Sequence, residues 1–95
     1  MAISFQFIGH ATYLLTIGEN RVLVDPFFTS NPATEVSAEE VETDFILLTH
    51  GHFDHVEDAV SIGQRTGARM IANFEIAGWL EQQGIDGEKI HGQHI

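Results

Sequence analysis

The segment Thr49-His50-Gly51-His52-Phe53-Asp54-His55 places three imidazoles and a carboxylate within six residues, from His50 to His55. Imidazole and carboxylate together suit a divalent cation such as zinc, and also manganese or iron. The spacing carries the argument further. His50 and His52 stand two residues apart, so along an extended segment both rings point to the same side and can share one metal. Asp54 and His55 follow where the chain turns towards a helix, and their side chains can address a neighbouring position. Gly51 gives a tight path between the histidines the freedom it requires. Polar residues at a solvated strand-to-helix turn, with Asp54 or His55 capping the helix, would be the plainer account. So dense a cluster of ligand types argues against it. The chain has no cysteine, so thiolate metal sites and disulfides are excluded.

Ligands need rigid support, and the flanking sequence supplies it. Phe45-Ile46-Leu47-Leu48-Thr49 is a continuous apolar run that reads as a strand covered on both faces. Far upstream, Ile3, Phe5 and Phe7 alternate with Ser4 and Gln6, which predicts a strand over 3–8 with one buried face. Thr12 to Ile17 is β-branched and aromatic-rich, Gly18-Glu19-Asn20 supplies turn residues, and Arg21-Val22-Leu23-Val24 resumes a strand, giving a hairpin. Asp25-Pro26 ends it, because proline cannot continue the ladder. Phe27 to Asp44 reads as loop, with Ser37-Ala38-Glu39-Glu40 spaced to cap one short helical turn. Beyond the histidines, Val56 to Thr66 is helix-compatible, with Glu57 and Asp58 in its first turn, Arg65 in its last and Gly67 as the stop. Ala68 to Ala72 is a short strand. Asn73 then caps a helix running to about Gln83, with Phe74, Ala77 and Leu80 on one face and Gly84 as the stop. Trp79 on that helix reads as packing. The order implies an α/β (α+β) fold, a sheet with helices on one side.

Length and composition bound the rest. Ninety-five residues suffice for one small domain. The formal charge is −10, with only Arg21, Arg65, Arg69 and Lys89 positive. Such a chain repels phosphate backbones and anionic lipid, so neither nucleic acid nor membrane is expected as a partner. The start Met1-Ala2-Ile3-Ser4-Phe5-Gln6 has no positive n-region and no long apolar stretch, and no apolar run is long enough to span a bilayer. The expected location is cytoplasmic.

The histidine-rich motif resembles that of the metallo-β-lactamase superfamily, whose fold is an αββα sandwich. Phe7-Ile8-Gly9-His10-Ala11-Thr12, Val22-Leu23-Val24-Asp25-Pro26-Phe27 and Leu48-Thr49-His50-Gly51-His52 resemble the small bacterial and archaeal UPF0173-type metal-dependent hydrolases. The resemblance covers essentially the whole chain but only the N-terminal half of the family domain. Residues 1–95 are accordingly expected to form a single domain, a truncated N-terminal half of such a sandwich with a mixed sheet.

The resemblance implies that His50 and His52 hold a first metal and Asp54 and His55 a second, with two zinc ions as the expected cofactor and Mn2+ or Fe2+ as alternatives. Asp54 would also be catalytic, holding or accepting the proton of the attacking water. Asp25 matches a position that supports the metal loop through hydrogen bonds, a turn residue before Pro26 being the alternative. His10 falls in a loop near the site, where it would touch substrate or ligand, or be a simple loop histidine. The implied function is a metal-dependent hydrolase of a small-molecule ester, lactone, amide or phosphodiester. The alternative is a non-catalytic metal-binding half-domain that lacks the ligands the family draws from its C-terminal half. Its open sheet face would suit a homo-oligomer. A di-iron redox relative is disfavoured by His52, where such proteins carry an acidic residue. His91 and His94 match no family ligand and read as surface loop residues.

Overall fold

Alternating apolar residues build the first strands, and short turns decide how they pair. The computed structural model describes residues 3–9, 12–26, 38–49 and 58–93. β1 (Ile3–Gly9) lies antiparallel to β2 (Thr12–Ile17), which lies antiparallel to β3 (Asn20–Val24). Gly18, at φ 60°, makes the turn between β2 and β3. After a single 3-10 turn at Ala38–Glu40 the pairing changes. β4 (Phe45–Leu47), β5 (Arg69–Asn73) and β6 (Ile90–Gln93) each run parallel to the strand before, so one six-stranded sheet follows chain order. Parallel neighbours need crossovers, and helices supply them: α1 (Ala59–Thr66) between β4 and β5, and α2 (Phe74–Gln82) between β5 and β6.

The expected helix signals act as read. Gly67 closes α1 in the left-handed conformation at φ 71°, its N–H returning to the Gly63 carbonyl at 2.9 Å. The Asn73 side chain accepts from the Ile76 N–H at 2.9 Å and so caps α2. Gly84 follows α2 at φ 95°. α1 is described from Ala59 rather than Val56, and Asp58 stands before it, not inside its first turn. Among the described residues no helix is long and apolar enough to cross a membrane.

Both helices pack on the same sheet face. Leu23, Ile46, Leu48, Met70 and Ala72 from the strands meet Ala59 and Ile62 of α1 and Ile76 and Leu80 of α2 in one buried cluster. Among the described residues this cluster holds thirteen buried hydrophobics, so the helix side is where most burial stabilises the fold. A network at the edge of β3 and β4 adds to it. The Asp44 carboxylate accepts from the Arg21 backbone N–H at 2.9 Å and from its Nε at 3.3 Å, and the Thr43 hydroxyl donates to the Arg21 carbonyl at 3.0 Å. Those bonds from Arg21, side chain first and backbone second, hold the Asp44 carboxyl below the usual carboxylate range. Arg65 of α1 pairs with Glu42 at 3.1 Å and also donates to the Val41 carbonyl.

Three expectations need correction. The Ile3, Phe5 and Phe7 face was expected to be buried, yet these residues are 68%, 61% and 62% exposed. By register they share a face with Tyr13, Leu15, Ile17, Val22, Phe45, Leu47 and Ile71, all half-buried, and with Val24, which is buried. Among the described residues both helices lie on the other face. For the same reason β4 is fully buried only on the side of Ile46, and not on both. Second, His91 is not in a loop. It lies in β6, exposed, opposite Ile71. The segment Ile90-His91-Gly92-Gln93 has no strand pattern of its own, and pairing with β5 imposes one. His94 lies outside the described residues. Third, Trp79 is 39% exposed on α2 and is not a core residue.

Candidate metal centre

Parallel strands bring their carboxyl ends to one edge, the usual place for a ligand site in such sheets. Here that edge holds Asp25 after β3 and Thr49 after β4. Asp25 is 1% exposed and has φ 46°, the single left-handed non-glycine residue among those described. That conformation costs an L-residue about 1–2 kcal/mol, and aspartate is among the few that enter it routinely. A residue before proline is biased to extended backbone, so position 25 is restrained twice over.

The partners of Asp25 explain why it stays there. Its backbone N–H donates to the Leu47 carbonyl at 2.9 Å, extending the β3–β4 ladder by one step. Its carbonyl accepts from the hydroxyl of buried Thr12 at 2.6 Å. One carboxylate oxygen accepts from the Thr49 N–H at 2.7 Å and the other from the Thr49 hydroxyl at 2.6 Å. Bonds this short to an ionised acceptor are the strong kind. Next along the chain, the Pro26 carbonyl accepts from the Asp58 N–H at 3.2 Å. Thus Thr49 and Asp58, which bracket residues 50–57, are both tied to the two adjacent residues 25 and 26. The geometry fixes where the histidine-bearing stretch starts and where it returns.

His50, His52, Asp54 and His55 themselves lie outside the described residues, as does His10. Among the described residues no three His, Asp or Glu side chains gather into a metal-binding cluster. Two clefts of about 180 and 200 Å3, one beside Val41 and one beside Ile85, share no residue with the Asp25 edge. Sequence reasoning reached Asp25 but missed Thr12, Thr49 and the Pro26–Asp58 bond. Thr49 carried one usable signal, its place directly before His50. Thr12 and Asp58 carried none, since their partners, Asp25 and Pro26, are far away along the chain.

Comparison with known proteins adds an independent line. Residues 4–94 match the family model described as a β-lactamase superfamily domain. A protein of Heliobacterium modesticaldum named UPF0173 metal-dependent hydrolase is 46% identical over 89 residues, which is 94% of this chain and 36% of that protein. A Thermococcus kodakarensis protein of the same name is 43% identical, over 93% of this chain and 39% of its own length. Among solved structures, Igni18 of Ignicoccus hospitalis, described as a metallo hydrolase, superposes with a TM-score of 0.85 at 29% identity, over 98% of this chain and 40% of that one. The chain spans less than two fifths of these two curated relatives. With a matching model across nearly its full length and a fold that superposes as closely, the chain belongs to the β-lactamase superfamily.

Proposed function

We propose that this chain carries the metal-binding half of a metal-dependent hydrolase. Its donor set fits the group: imidazoles and a carboxylate, no thiolate, in a stretch whose two flanks are hydrogen-bonded to residues 25 and 26. In this reading His50 and His52 hold one divalent cation and Asp54 and His55 a second, zinc being the favoured metal and manganese or iron the alternatives. When bound, such cations lower the pKa of a water towards neutrality and polarise a carbonyl or phosphoryl oxygen. Asp54 would hold or accept the proton of the attacking water. Asp25 would set the origin of the loop through Thr49, and His10 would lie at its border. The substrate would be a small-molecule ester, lactone, amide or phosphodiester.

The observation that carries the reading is the double grip of the Asp25 carboxylate on Thr49, the residue before His50. A stretch with no structural demand on it would not require a buried carboxylate to fix its first residue. The name metal-dependent hydrolase shared by relatives at 46% and 43% identity supports the same reading. A second reading has its own support. The chain spans 36–39% of those relatives, and Ile3, Phe5 and Phe7 stand exposed along one face of β1. By itself it would then bind metal without turnover, and would self-associate.

The test compares this chain with the complete Heliobacterium relative. Hydrolysis of a chromogenic ester, a lactone, an amide and a phosphodiester is followed before and after chelation and on adding back zinc, manganese or iron. Metal-restored turnover of one substrate class supports the hydrolase. Turnover by the relative with metal binding alone by this chain supports the second reading. Turnover untouched by chelation in both would overturn the proposal.

A further inference from the structure

The Asp25 grip has a support of its own, one layer further in. Thr12 opens β2 beside the bulge in β1 between Phe7 and Gly9, and it is 0% exposed. A buried hydroxyl must find an acceptor, and this one is the Asp25 carbonyl at 2.6 Å. The β-branched side chain has little χ1 freedom, so the hydroxyl stays aimed. Pro26 biases Asp25 towards extended backbone, and relaxation in that direction would turn its carboxylate off Thr49. The Thr12 bond opposes the relaxation from the other side of the Asp25 peptide unit.

We propose that Thr12 is a positioning residue for the metal loop: its hydroxyl holds Asp25 in the left-handed conformation from which the carboxylate grips Thr49, the residue before the first proposed ligand. The proposal rests on the metal-loop reading above. The chain of contacts is Thr12 to Asp25 to Thr49, and it ends one residue before the first proposed ligand. Thr12 touches neither metal nor substrate in this account. It acts through Asp25.

The test is zinc titration of the chain by calorimetry, with urea unfolding run alongside. Four forms are compared: unaltered, Thr12→Val, Thr12→Ser and His52→Ala. Valine keeps the shape and loses the hydroxyl, while serine keeps the hydroxyl. The expected result is zinc affinity reduced about 10-fold or more in Thr12→Val, the scale of losses beyond the ligands themselves, and restored in Thr12→Ser. Amide exchange at Thr49 in the metal-free chain should speed up in Thr12→Val alone. Should Thr12→Val fail to unfold cooperatively, Thr12→Ala, which leaves room for a water at the carbonyl, takes its place. Unchanged affinity in the hydroxyl-free variant, with binding lost in His52→Ala, overturns the proposal and leaves the metal reading standing. Absence of zinc binding in the unaltered chain overturns the metal reading and the proposal with it.

Discussion

Replacing Asp25 by alanine should be among the most damaging single changes at this sheet edge. The carboxylate accepts two bonds from Thr49, at 2.7 and 2.6 Å. Bonds to a charged group contribute about 1.5–3 kcal/mol each. Thr49 is exposed, so water can replace the lost carboxylate and the lower figure applies, about 3 kcal/mol for the pair. Alanine at φ 46° adds about 1 kcal/mol, because it lacks the local hydrogen bonding that lets aspartate sit there. The total of about 4 kcal/mol is a large part of the 5–15 kcal/mol that holds a typical domain. Asparagine is the control. It tolerates the left-handed region, its amide oxygen can take the Thr49 N–H, and its amide N–H can donate to the Thr49 hydroxyl. Only charge assistance is lost, about 1–1.5 kcal/mol. Urea unfolding followed by far-UV circular dichroism reads both, provided the slope of each transition is unchanged. If Asp25→Ala and Asp25→Asn cost the same, or each costs under about 0.5 kcal/mol, the carboxylate does not hold Thr49 and the reasoning fails.

Other expectations come from elsewhere in the fold. A Cβ at Gly63 would stand 2.0 Å from the Met70 terminal methyl, itself in the core, so Gly63→Val should cost about 1–3 kcal/mol of overpacking, read as a lowered urea midpoint. Asp44 has a folded pKa below its unfolded one, so its stabilisation is present above the ordinary carboxylate range near pH ~4 and is lost as pH falls through the lower folded value. Asp44→Asn should flatten that acid limb of the stability–pH curve by no more than about 1 kcal/mol, the pair with Arg21 being partly exposed. An acid limb identical in both proteins would contradict this. The exposed Ile3, Phe5 and Phe7 predict concentration-dependent self-association in sedimentation. Phe5→Glu with Phe7→Glu should abolish it, and a monomer at all concentrations in the unaltered chain would refute it.

Much of the fold was legible because its signals are local. The turn at Gly18, the Asn73 cap and the glycines that close the helices each act within a few residues, and each sits where the sequence put it. What failed was anything decided by a distant neighbour. The alternation in Ile3 to Phe7 shows that the strand has two unlike faces, but not that residues 3–7 are exposed on both, with Ile8 alone of β1, among the described residues, reaching the helix-side cluster. β6 exists because β5 offers it an edge, and nothing in Ile90 to Gln93 announces it. The site divides in the same way. The density of ligand types makes residues 50–55 the proposed metal stretch from sequence alone. The bond from Thr12 to Asp25, and the left-handed turn it supports, join residues that only the folded sheet brings together.

X-ray absorption at the zinc edge, on the zinc-loaded chain beside its His52→Ala variant, bears on the whole account at once. The expected spectrum shows nitrogen and oxygen neighbours at about 2.0–2.1 Å together with the outer-shell scattering of imidazole, and the imidazole signal and the retained zinc both fall when His52 is removed. Zinc that does not stay with the chain, or an all-oxygen shell identical in the two proteins, would contradict it.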